Sequence, residues 1–208
     1  MKYLLSIVFV FASMTSFSQN DVADANGKPF IKNSVEVYVG NPYYTTSFNK
    51  GKVKLASGKS FDNYELKLDE VNNQVIYKGA DGRDYSFVEE VIAFDFNLDN
   101  KNLSFIKAGK DKAYYQVLLN GKNTLLKRNV KSIAERKQYS SATTEKFIQS
   151  RVNYALSIDD KFIELSDNKH LLETFSNNEK ALNFIKTNKV SVKKEESLIK
   201  LVTYVNTL

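Results

Sequence analysis

The chain has 208 residues, 30 Lys or Arg against 24 Asp or Glu, no Cys and no Trp. The lack of Cys excludes disulfides and thiolate metal sites, and the single histidine, His170, excludes metal sites built on several imidazoles. The net charge of +6 is modest, so where it lies along the chain is more informative than its total.

Residues 1–18 have the pattern of a cleaved secretory leader. Lys2 supplies the positive start, Leu4, Leu5, Ile7, Val8, Phe9 and Val10 the apolar stretch, and Ser16 and Ser18 the small residues before a cut at Gln19. The apolar run is about ten residues, half of the roughly 20 that a membrane span requires. With no cysteine after the leader to carry a lipid anchor, the expected product is free in the periplasm or outside the cell.

Residues 19–34 contain Gly27 and Pro29 and little apolar periodicity, which predicts a flexible mature N-terminus. From 35 to 166, short runs of Val, Ile, Tyr and Phe alternate with turn signals, the pattern of a β-rich region. Tyr64, Leu66 and Leu68 alternate with Glu65, Lys67 and Asp69, which predicts a strand with one apolar and one charged, solvated face. Asp81-Gly82 and Asn120-Gly121 are expected to form type I′ hairpin turns. Ile92, Phe94, Phe96 and Leu98 share a face in what should be the most buried strand, with Val91, Ala93, Asp95 and Asn97 opposite. The doublets Tyr43-Tyr44 and Tyr114-Tyr115 should each turn one ring outward.

Beyond these strands, 132–145 lacks a hydrophobic repeat and is expected to be the most mobile internal segment. A long strand should follow, with Ile148, Val152, Tyr154, Leu156 and Ile158 on one side, before a turn at Asp159-Asp160 leads into a strand ending at Leu165. After that the period changes. Three short amphipathic helices are expected across 167–208, carrying Leu171 and Phe175, then Leu182 and Ile185, then Leu198, Leu201, Val202 and Val205. Asp167, Asn168, Asn177 and Asn178 are candidate caps, and Glu195 and Glu196 suit a first helical turn. The expected class is α+β: an antiparallel β-meander, as an open barrel or sandwich, with about three short C-terminal helices packed on it.

The positive charge is concentrated in 121–151, which holds eight Lys or Arg and only Glu135 and Glu145. Arg128, Lys131, Arg136 and Lys137 are the candidate residues for an anionic partner, whether a glycan, a lipid headgroup or another envelope protein. The same charges would equally form a solvated hairpin that resists edge pairing, and no nucleic-acid signature accompanies them.

Catalytic patterns are sparse. Glu89-Glu90 would point to opposite faces if on a regular strand, and Glu195-Glu196 is explained as helix-start charge. Asp95-x-Asn97-x-Asp99 opens like a calcium loop but has Asn100 where Gly is required and Ile106 where a bidentate Glu is required, so a hairpin tip at Asp99-Asn100 is preferred. His170 is expected to be a surface residue in a first helical turn. No catalytic residue, metal or cofactor is assigned, and a non-enzymatic binding protein is the favoured reading. A small hydrolase working through carboxylates or tyrosine, or a barrel around an apolar ligand, is the alternative.

Several stretches together resemble an uncharacterised family of exported Bacteroidota proteins. They are the leader end Ser16-Phe17-Ser18-Gln19, the run Gly40-Asn41-Pro42-Tyr43 with Phe48 and Lys50-Gly51, Leu125-Leu126-Lys127, and the closing Leu198-Ile199-Lys200 to Tyr204-Val205-Asn206. The family has no assigned activity, so the resemblance implies export and a β-then-helix layout and carries over no functional residue.

Overall fold

A computed structural model of the chain describes residues 30–31, 38–137, 144–159 and 161–208. The expected leader, most of the expected flexible N-terminus, and Asp160 lie outside the described residues. The chain is α+β: one antiparallel sheet that does not close on itself, followed by three helices. No helix among the described residues is long and apolar enough to cross a membrane.

The strands are β1 (Phe30–Ile31), β2 (Asn49–Leu55), β3 (Ser60–Asp69), β4 (Gln74–Lys78), β5 (Asp84–Ser86), β6 (Val91–Leu98), β7 (Lys101–Ala108), β8 (Ala113–Leu119), β9 (Asn123–Lys137), β10 (Thr144–Ile158) and β11 (Lys161–Leu165). Their spatial order is β1-β5-β4-β3-β2-β6-β7-β8-β9-β10-β11, so two meanders meet where β2 pairs with β6. Phe30 and Ile31, within the stretch expected to be flexible, pair with Ser86 and Tyr85 and extend the sheet beyond β5.

The chain crosses from β5 back to β6 in only four residues, 87–90. A flat sheet would separate these strands by four spacings, about 19 Å, against an extended reach of about 18 Å for that connection. The β2–β8 part must therefore curl, and the contacts agree: Tyr114 Oη donates to the Val91 carbonyl at 2.7 Å, and Asn73 Oδ1 accepts from Tyr114 N at 3.0 Å. The curl encloses an aromatic core in which Phe94 stacks on Phe105 at 4.6 Å and meets the edge of Tyr114 at 5.2 Å.

Several local expectations change for identifiable reasons. A bulge between Lys54 and Leu55 lets Val91 face the core, 4% exposed, while Ile92 turns aside; Phe94 and Phe96 are buried as expected. Both rings of Tyr114-Tyr115 are buried because both sheet faces are covered, Tyr115 lying against the edge of Phe162 at 5.1 Å. The charged face of β3 is solvated only at Glu65, because Lys67 and Asp69 are buried. The segment 38–48 covers the other two, so that Lys67 lies over the Phe48 ring at 4.2 Å and Asp69 bridges to Tyr43, while the Asp69 carboxylate accepts from the backbone N of Val71 and Asn72 in the turn that follows. The 81–82 and 120–121 turns are not type I′, because Gly82 alone among those four residues has positive φ. Asp99 and Asn100 do have it, at 49° and 61°, and form the tight hairpin between β6 and β7.

Of the helices α1 (Asn168–Thr174), α2 (Glu179–Thr187) and α3 (Glu195–Val205), the first two start at side-chain caps, while α3 carries Glu195 and Glu196 in its first turn. Asp167 accepts from His170 N at 2.8 Å, and Asn178 accepts from Ala181 N at 3.0 Å. Their apolar stripes, Leu171, Phe175, Ile185, Leu198, Leu201 and Val205 among them, pack on Leu125, Tyr154, Leu156 and Leu165 of the sheet. Asn206 fastens the end of α3: its Oδ1 accepts from Asn123 N at 2.8 Å and its Nδ2 donates to the Asn123 carbonyl at 2.9 Å. Asn206→Ala should cost about 1–3 kcal/mol in urea unfolding, because it leaves buried Asn123 groups unpaired. An effect below half a kcal/mol would mean that the apolar stripe alone holds α3.

Candidate binding site

Strand alternation decides what the four basic candidates can do together. Across the β9–β10 ladder, Arg128 and Arg136 fall on one face of the ribbon, and Lys131 and Lys137 on the other. The segment expected to be mobile is largely part of this ribbon, since residues 132–137 pair with 144–149; only 138–143 lie outside the described residues.

Three of the four already have acidic partners. Arg128 pairs with Asp111 and lies over the Tyr115 ring. Arg136 meets Glu145 at 2.7 Å and lies over Phe147. Lys131 reaches buried Glu70 Oε2 at 2.8 Å while donating to the backbone carbonyls of Asn41 at 3.1 Å and Tyr43 at 2.6 Å. Lys137 is exposed at the end of β9. The structure thus uses Lys131 to hold the crossing segment 38–48 on the sheet and does not bring the four charges to one surface.

Other polar residues on the helix side are also paired. Glu195 accepts from Tyr154 Oη at 3.1 Å and meets Lys127 at 2.7 Å, which ties α3 to β9 and β10. Burial, reinforced by that carboxylate, pushes the Tyr154 phenol up to about 12. Glu89 and Glu90 lie in the bend between β5 and β6, not on a regular strand; Glu89 accepts from Ser57 N and Glu90 from Lys107 at 3.1 Å. Among the described residues no group of three or more His, Cys, Asp or Glu is placed to hold a metal ion.

A different set of cations surrounds open space. A groove of about 1210 Å³ lies between β10 and the helical layer, lined by Arg151, Val152 and Tyr154 on the strand side and by Lys169, His170 and Lys193 on the other. Its two lining carboxylates are engaged: Glu164 accepts from Asn153 Nδ2 at 2.6 Å, and Asp167 caps α1, where the His170 N–H bond holds its carboxyl below the usual range. Arg151, Lys169 and Lys193 are exposed, with Lys169 in a loose surface contact with Glu173 at 3.7 Å. His170 is partly buried at the groove wall, its Nδ1 3.3 Å from Ser166 Oγ.

Charge counting along the chain selected residues adjacent in sequence, whereas the groove assembles 151, 169 and 193 from three elements brought together by helix docking. One readable signal was present: the strand expected from Ile148 to Ile158 is much longer than the one expected to end at Leu165, which therefore leaves part of its edge uncovered. Comparison with protein-family models, curated proteins and solved structures finds no match to this chain.

Proposed function

We propose that this is an exported, non-enzymatic binding protein that engages an anionic partner in the groove between β10 and the helices. The observation that carries the reading is the charge arrangement there: Lys169 and Lys193 rim the helix side of the groove and Arg151 borders it from the opposite face of β10, three exposed cations against two lining carboxylates that are engaged by internal hydrogen bonds, so the lining is net positive. By contrast Arg128, Lys131 and Arg136 are each paired with a carboxylate, so they fasten the fold and add little to any net positive field. The export half of the reading rests on Lys2, the apolar stretch from Tyr3 to Ala12 and the small residues Ser16 and Ser18.

Retention on a heparin column tests the groove. The chain should elute at a salt concentration that falls clearly for the double variant Arg151→Glu/Lys193→Glu and shifts little for Arg136→Glu/Lys137→Glu. Equal shifts for the two pairs would assign binding to diffuse charge and remove the groove from the account. For export, the mature protein outside the cytosol should begin near Gln19, and cytosolic protein retaining Lys2 and Tyr3 would overturn that half.

A further inference from the structure

Among the described residues, the edge of β10 is covered in two places and open between them. At one end, Tyr154, Leu156 and Ile158 pair with β11. At the other, Val39 lies alongside in a parallel bridge, donating to the Lys146 carbonyl and accepting from Ile148 N, both at 2.9 Å. These bonds show that the even-numbered residues of β10 turn their backbone groups away from β9, toward this edge. Ser150 and Val152 are the even-numbered residues left between, so their N–H and C=O groups face outward with neither β11 nor the crossing segment opposite them. The open stretch from Ile148 to Tyr154 spans about 20 Å, room for a strand of roughly five residues.

This edge forms a wall of the groove already described. Val152 is 50% exposed and offers an apolar contact on the helix side, Arg151 presents a cation on the opposite face, and Lys169 and Lys193 rim the far wall. Natural edges of this kind are usually shortened, charged with inward lysines or covered; here, among the described residues, the covering stops for the length of the groove.

We infer that the open stretch of β10 accepts an extended, acidic segment of another polypeptide as an added strand between β11 and the crossing segment. This rests on the groove being an anion-binding site and names its partner class. A sugar or lipid headgroup would satisfy the cations, but an extended peptide also satisfies the alternating donors and acceptors of Ser150 and Val152. Alternation in the incoming strand would place apolar side chains against Val152 and carboxylates against Arg151.

The test uses a fluorescently labelled heptapeptide of alternating glutamate and valine, read by polarisation against the purified chain. Binding should weaken at least about tenfold when alternate peptide nitrogens are methylated, and by a similar factor for Val152→Pro, because each change removes an edge hydrogen bond. The nitrogen of Val152 faces the edge and not β9, so proline there spares the ladder; methylating the peptide leaves the protein untouched and gives an independent reading. Exchange of the Ser150 and Val152 amide hydrogens should slow when the peptide binds. Undiminished binding of the methylated peptide would overturn strand addition and leave charge alone as the cause. Failure of the parent peptide to bind while heparin retention persists would overturn the peptide as occupant and leave the anion-binding reading standing; loss of both would remove both. Self-association of the chain that disappears in Val152→Pro would assign the edge to a second copy instead.

Discussion

Phe94→Ala should lower the stability of the folded chain by about 3–5 kcal/mol, seen as a fall in the urea midpoint and a drop of roughly 10 °C in Tm. Phe94 is 3% exposed and central to the aromatic core, stacked on Phe105 and edge-on to Tyr114. Truncation removes the transfer energy of the ring and leaves a cavity whose walls belong to three strands, β6, β7 and β8, already fixed by their ladders. The cavity therefore collapses poorly, which places the cost toward the upper end of the range. Val152→Ala provides the comparison, since a half-exposed edge residue should change stability by about half a kcal/mol or less. A Phe94→Ala cost near 1 kcal/mol would mean that the curled β2–β8 sheet is loosely packed, contrary to the ring geometry.

The burial of Phe94 was legible because alternation is a local property. Phe94, Phe96 and the Asp99-Asn100 turn, like the helix stripes ending at Val205, follow from period and turn chemistry within a few residues. What escaped depended on distant segments. Lys67 and Asp69 read as a solvated face because nothing local announces that residues 41–48 will lie across them. Val91 reached the core through a bulge, which shifts the face of every residue beyond it without altering composition. The segment 132–145 read as mobile because polar side chains hide, in its described residues 132–137 and 144–145, strands whose stability comes from their ladder partners. Once that ribbon is recognised, the odd and even numbering of Lys131, Lys137, Arg128 and Arg136 is enough to show that they cannot share a face.

The ion pair between Lys131 of that ribbon and Glu70, which follows β3, leads to the second large effect. Lys131→Met should destabilise the chain by about 3–5 kcal/mol near neutral pH, because it leaves the Glu70 carboxylate buried without its counter-ion. The side chains of Glu70 and Lys131 are only 4% and 14% exposed, so solvent cannot substitute for the lost ammonium. The substitution also removes the donors to Asn41 and Tyr43, so the backbone bond from Tyr44 N to the Leu68 carbonyl should lose protection in hydrogen exchange. The pH dependence has a definite sign. Burial holds the Glu70 carboxyl above its ordinary value, with Lys131 opposing that rise and Asp69 adding to it. A carboxyl raised in the folded state contributes no penalty below its unfolded pKa, where both states are protonated, and the full penalty above its folded pKa. Removing Lys131 lifts the folded pKa further, so the deficit of Lys131→Met should shrink as pH falls through the interval above the ordinary carboxyl value. Glu70→Gln/Lys131→Met, which carries no buried charge at this pair, should recover most of the loss near neutrality and should lose that pH dependence. A single variant as stable as the parent at pH 7, or a deficit that grows on acidification, would show that Glu70 is not held as a buried anion and that something other than this pair fastens residues 38–48 to the sheet.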